Sequence, residues 1–159
     1  MMPVLVIGIG NADRGDDAAG LLAVRAIRTA DPAIPVGESR GEPAALIDAW
    51  RGAEAVYLVD CCTASRQSGT VHRFAAHEAP LPEQLGAVSS HGIGLGTTIE
   101  LARALDALPG SLIVFAIEGA CFDAGVPPSA VVTRAAGQAA LRIRKEIAQI
   151  SSGRMMASS

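Results

Sequence analysis

The chain has 159 residues, half of them apolar, which matches one compact domain able to bury roughly 70% of the surface its unfolded chain exposes. A formal net charge of -3, from 13 basic and 16 acidic residues, supplies no basic stripe to neutralise a phosphate polyanion, which argues against a nucleic-acid partner. No segment approaches the roughly 20 apolar residues of a membrane span, and the apolar start at residues 3–9 is too short for one, has no basic lead and runs into Asp13, Asp16 and Asp17, so neither a signal peptide nor an anchor is expected.

Residues 3–9 form a continuous apolar run, as a strand buried on both faces would. A glycine-rich loop follows, and Asp16 or Asp17 then opens a helix with Ala19, Leu22, Ala23, Ala26 and Ile27 on one stripe. A short strand is expected near residues 34–37. The next helix, over residues 43–50, has Pro43 in its first turn, where the missing N–H costs nothing. "AVYLVD", residues 55–60, is a second buried strand, and residues 69–75 alternate like an exposed one. A Pro-bearing loop leads to a helix from about His91, with Leu101, Ala104, Leu105 and Leu108 on one face, before "PG" stops it. Residues 111–117 form a third buried strand. The last helix, residues 128–150, repeats Val132, Ala135, Ala136, Ala139, Ala140, Ile143 and Ile147 at helical spacing, and residues 151–159 read as a disordered tail. Strand–helix alternation of this kind predicts a single α/β domain over residues 3–150, with a mostly parallel twisted sheet covered on both faces; a monomer is the default for its size.

Cys61 and Cys62 are adjacent and do not readily bridge, and Cys121 makes the count odd, so a reducing compartment is expected. Their spacing fits neither a zinc ribbon nor a CxxC pair, and they read as small buried hydrophobes.

In an open α/β sheet, ligands bind beyond the carboxyl ends of the strands. At that edge the sequence places "GIGNADRGDD", Asp60, and His91 in "SSHGIG", so Asp17, Asp60 and His91 are expected to converge. A dinucleotide site begins well, with Gly8, Gly10 and the acidic Glu38, but Asp13 occupies the third glycine position. Asp16 and Asp17 put negative charge at the helix start, where a pyrophosphate needs free N–H groups. Such a loop repels phosphate and attracts a cation. Asp60 ends a buried strand, where a lone charge is costly unless paired or metal-bound. His91 at a helix start is kept neutral, the form that donates a lone pair to a metal. One imidazole and two carboxylates would make an open metal site. His72 and His77 have no acidic partner at ligand spacing and read as solvated surface. Ser89 and Ser90 lack a G-x-S-x-G elbow and read as helix caps, and no Asp-Thr-Gly or Asp-Ser-Gly stretch supports a pepsin-like dyad.

Taken together, "VIGIGNADRGDDAAG", "YLVDCC", "SSHGIGL" and "AIEGACFDAGVPPSAV" resemble, in order and spacing, the hydrogenase maturation endopeptidases from residue 3 to about residue 147. The resemblance implies a three-layer α/β/α fold and a cytoplasmic protease, classed with aspartic-type endopeptidases. Its partner would be the precursor of a nickel-iron hydrogenase large subunit, from which it removes a short C-terminal extension after nickel insertion. It further implies that nickel arrives on the substrate, held by substrate cysteines, and that no nucleotide takes part. Three metal-contacting and catalytic positions carry over onto Asp17, Asp60 and His91. The first of these is often glutamate in the family, and Asp17, one methylene shorter, needs a closer approach. Ser39, Arg40, Gly41 and Glu42 stand where several members have an Asp-Gly-Gly-Thr type stretch, which implicates Ser39, Arg40 and Gly41 in substrate choice. Polarisation of the scissile carbonyl by the metal and activation of a water, with Asp17 or Asp60 as base, both stay open. Two other functions are carried beside this one: a non-proteolytic module that checks or delivers metal during maturation, and a nucleotide-binding α/β domain.

Overall fold

The computed structural model describes residues 3–63, 66–83 and 94–157. Strand β1, Val4–Ile9, is followed by a 3-10 turn, Gly15–Ala18, and helix α1, Ala19–Ala30. Then come β2, Val36–Ser39; α2, Pro43–Ala49; β3, Ala55–Thr63; and β4, Val71–Ala75. Helix α3, Leu95–Ala104, strand β5, Ser111–Gly119, and helix α4, Ala130–Ala157, complete the order.

The five strands lie in the order β2-β1-β3-β5-β4, parallel except for the edge strand β4, which runs antiparallel to β5. Alternation along the central strands sends side chains into two cores. Val4, Val6, Tyr57, Val59, Phe115 and Ile117 pack under α1 and α4, while Leu5, Ile7, Val56, Leu58, Leu112 and Val114 pack under α2 and α3. Each large apolar side chain so buried contributes about 1.5–3 kcal/mol. The result is the three-layer α/β/α arrangement expected. Trp50 closes the second core, its indole N–H donating to the Ala107 carbonyl at 2.8 Å.

Several local expectations shift. The α1 stripe is rotated: Gly20, Leu21 and Val24 are buried, and Ala26 is exposed. Gly20 causes this, because a Cβ there would overlap the Val59 carbonyl and lie 2.8 Å from Ile9 N. Without that atom, α1 settles directly on β1 and β3. Strand β2 begins at Val36 rather than Ile34. Helix α3 buries Thr98, Ile99 and Ala102, and leaves Leu101 and Leu105 45% and 63% exposed. It ends at Ala104, because Asp106 adopts a left-handed backbone, φ 54°, that turns the chain before Leu108 can join the face. Residues 151–157, expected as disordered tail, continue α4. Ser151, Ser152 and Gly153 favour helix weakly, but Arg154 Nη2 donates to Glu54 Oε2 at 2.6 Å and ties that end to the body.

Strand β1 pairs β3 as far as Gly8 against Val59, whereas β3 and β5 stay paired to Thr63 and Gly119. Beyond Val59, one flank of β3 therefore faces the loop leaving β1. Helix α1 leads from β1 to β2 on one side while β3 lies on the other, which makes this the topological switch point of the sheet.

Candidate functional site

The loop after β1 is held almost entirely by its own backbone and by one distant segment. Arg14 N donates to Asn11 O at 3.3 Å, Asp13 N to Asn11 Oδ1 at 2.9 Å, and Asp17 N to Arg14 O at 3.0 Å. The segment between β5 and α4 supplies the rest. Gly15 N donates to Val126 O at 2.8 Å, Asp16 N to Cys121 O at 2.7 Å, and Gly125 N to Asp13 O at 2.7 Å. Gly15, at φ 53°, takes a left-handed conformation that a side chain would strain, and a Cβ there would overlap Cys121 O.

These bonds bear on whether the loop could hold an anion. A phosphate cradle requires free N–H groups at the turn, and those of Gly15, Asp16 and Asp17 are all engaged. Glu38, the residue a dinucleotide ribose would need, is also engaged. Arg25 Nη2 reaches its Oε1 at 2.8 Å and Arg28 Nη1 its Oε2 at 3.4 Å, and the Arg25 guanidinium holds its carboxyl below the usual range. The geometry therefore counts against a nucleotide.

Asp17 lies on the 3-10 turn, 6% exposed. Asp60 is half-buried, one residue beyond the last β1–β3 pair, with Cys61 N donating to its Oδ1 at 2.8 Å. Burial raises the Asp60 pKa well above the ordinary carboxylate value; the Cys61 N–H opposes this, and the negative charge of Asp17 adds to it. The structure thus brings Asp17 and Asp60 to one corner of the sheet edge. His91 lies outside the described residues, as do Ser89 and Ser90. Among the described residues no group of three His, Cys, Asp or Glu could hold a metal. Asp60 shares the sheet face of Val56 and Leu58, the face covered by α2 and α3.

Beside this corner, between the loop and the end of β2, runs a cleft of about 310 Å³ lined in part by Gly10, Asn11, Asp13, Ser39 and Arg40. Ser39 and Arg40 thus line a cleft that adjoins the loop, and neither Asp17 nor Asp60 is among its lining residues. Gly41 is not among the lining residues; its N–H donates to Ser39 Oγ at 3.0 Å and fixes that hydroxyl.

Some polar groups behave otherwise than their sequence neighbourhood predicts. His72 does have an acidic partner: its Nε2 lies 3.2 Å from Oε2 of Glu118, a buried carboxylate on β5 that also accepts Arg66 N–H at 3.1 Å. The partner was invisible in spacing because the β4–β5 pairing brings the two together across 46 positions. His77 is part-buried and accepts the Leu112 N–H at Nδ1, 3.0 Å, rather than lying in solvent. Cys61 and Cys62 are buried and free; burial first, then neighbouring carboxylates, raises both thiols, Cys62 to about 12, so neither is a ready nucleophile. Asp16, expected to open the helix and to place negative charge at its start, is instead a cross-loop acceptor. Ala120 N and Cys121 N donate to its Oδ2 at 2.9 and 3.1 Å, and Ser129 N and Oγ to its Oδ1 at 2.8 and 2.9 Å. Partners more than 100 residues away leave no local signature.

No helix among the described residues is long and apolar enough to cross a membrane. Sequence comparison finds no family model and no curated protein that matches the chain. Comparison with solved structures does find matches. HycI, a [NiFe] hydrogenase maturation protease from Thermococcus kodakarensis KOD1, aligns with a TM-score of 0.66 at 23% identity, over 91% of each chain. The hydrogenase maturating endopeptidase HybD from E. coli aligns at 0.67 and 20% identity, over 91% of this chain and 93% of that one. The solution structure of the endopeptidase HycI from Escherichia coli aligns at 0.68 and 22% identity, over 89% and 88%. This chain therefore shares their fold over nearly its whole length.

Proposed function

We propose that the chain is an endopeptidase that removes the C-terminal extension from a nickel-loaded precursor of a nickel-iron hydrogenase large subunit. The observation that carries this is the placement of Asp17, on the turn after β1, and Asp60, at the end of β3, at the switch point, beside a turn whose Gly15, Asp16 and Asp17 amides are all engaged. Such a corner favours a cation. The fold shared with hydrogenase maturation proteases supports the assignment of reaction and substrate.

Two carboxylates with the imidazole of His91 form a modest donor set for a permanent ion, but one able to complete the coordination of nickel carried by substrate thiolates. The nickel is then part of the substrate, and only loaded precursor bridges enzyme and scissile segment. Asp60, with its raised proton affinity, retains a proton more readily than an exposed aspartate and gives it up when a cation approaches; once ionised, it or Asp17 can take a proton from the attacking water. Ser39 and Arg40 line the adjoining cleft and would meet the segment being removed. Three free cysteines fit action in the reducing cytoplasm.

The test is the mass of a precursor incubated with the purified protein. Shortening of the nickel-loaded form alone supports the proposal. An intact precursor held in a tight complex would instead identify a module that checks or delivers metal.

A further inference from the structure

We propose that Asp16 is a positioning residue whose carboxylate clamps the β5–α4 segment onto the turn after β1 and thereby fixes the turn that carries Asp17. The role rests on the proposed function for its kinetic consequence, and on geometry alone for the clamp.

Asp16 is 1% exposed and collects four hydrogen bonds from Ala120, Cys121 and Ser129, across a separation of 104 to 113 positions. A carboxylate that accepts several N–H and O–H groups is stronger than the sum of neutral bonds, and removing it strands those donors. The surroundings are shaped around it. A Cβ on Gly119 would lie 2.7 Å from Asp16 Cβ and 2.7 Å from Cys61 Sγ, so the end of β5 passes the aspartate with no room to spare.

The next residue inherits this placement. The backbone bonds of Asp17 run to Arg14 and Asn11, within the same turn, so the residue moves with that turn. Asp13, Gly15 and Asp16 tie the turn to the β5–α4 segment through backbone bonds, and the Asp16 side chain adds four more. With the carboxylate removed, the backbone bonds of Asp13, Gly15 and Asp16 remain, and the turn keeps its internal shape while its register against β3 loosens. The same clamp holds the exposed residues 123–127 beside the site, so the "CFDAGVPPS" motif acts as a wall whose position is set by Asp16.

The experiment compares wild type, Asp16→Asn and the milder Ser129→Ala, which removes only the hydroxyl bond. Hydrogen exchange at Ala120, Cys121 and Ser129 should accelerate at least about tenfold in Asp16→Asn, the size of one lost charge-assisted bond, with β1, β3 and β5 unchanged. The carboxyl carbon resonance of Asp17 at fixed pH should move and broaden. For nickel-loaded precursor, kcat should fall on the order of 10- to 100-fold with KM held within about threefold, the signature of a misplaced group rather than a lost binding contact. Ser129→Ala should show the same pattern, smaller. Unchanged exchange in both variants overturns the clamp. Faster exchange with an unmoved Asp17 resonance overturns the positioning role. If wild type cleaves no precursor, the proposed function fails by itself, while exchange and resonance still decide this inference.

Discussion

Replacing Asp60 by asparagine is expected to stabilise the fold at neutral pH while ending cleavage. The amide has the shape of the carboxylate and keeps an oxygen for the Cys61 N–H, so packing and that 2.8 Å bond survive. What disappears is a charge whose ionisation is opposed first by burial and then by Asp17. The sign follows from linkage. The folded pKa lies above the unfolded value near 3.8, so the folded state gains from the proton below that value and loses this advantage as pH rises through the folded pKa. The variant has no such loss. Because Asp60 is only half-buried and its charge partly screened by solvent, the relief is worth on the order of 1 kcal/mol. For a domain of this size that raises Tm by about 2–4 °C per kcal/mol. Urea or thermal unfolding at pH 7.5 and pH 4 measures it: Asp60→Asn should be the more stable at pH 7.5, and the gap should close towards pH 4. A variant less stable at pH 7.5, or a gap that widens on acidification, would show that the Asp60 charge is paired in the folded protein and that the corner does not call for a cation.

Two other substitutions separate architecture from site. Gly20→Ala should lower stability by about 1–3 kcal/mol despite its higher helix propensity, because the new methyl meets the backbone of Val59 and Ile9, which cannot move aside; an unchanged urea midpoint would refute the close approach of α1. Glu38→Gln breaks the pairing with Arg25 and Arg28, whose side chains are about half exposed, so it should cost less than about 1 kcal/mol. A loss above that in chemical denaturation would mean that β2 depends on the pair.

What the sequence revealed followed the range of its signals. Strands β1, β3 and β5 are continuous apolar runs because both faces are covered, and the stripe from Val132 to Ile147 marks the buried face of α4 without ambiguity. Helix α3 misled because Leu101, Ala104 and Leu105 fit a stripe, whereas the face that packs on the second core carries Thr98, Ile99 and Ala102. The end of α4 misled because its weak helix formers gave no signal for the contact between Arg154 and Glu54, 100 positions away. That Asp17 and Asp60 lie at the carboxyl edge of the sheet was legible from the order of strands and loops, and the rule that ligands gather there motivates the proposed site. The roles of Asp16 and Glu118 were not, since each is defined by partners brought close only by the finished topology.

The central claim is that nickel on the substrate, read by Asp17 and Asp60, licenses cleavage. Its most direct measurement is the mass of matched nickel-loaded and nickel-free large-subunit precursors after incubation with the purified protein. Loss of the C-terminal extension from the loaded precursor only, and from neither with Asp60→Asn, is the predicted result. Equal processing of both precursors, or none of the loaded one by the wild-type protein, would contradict it.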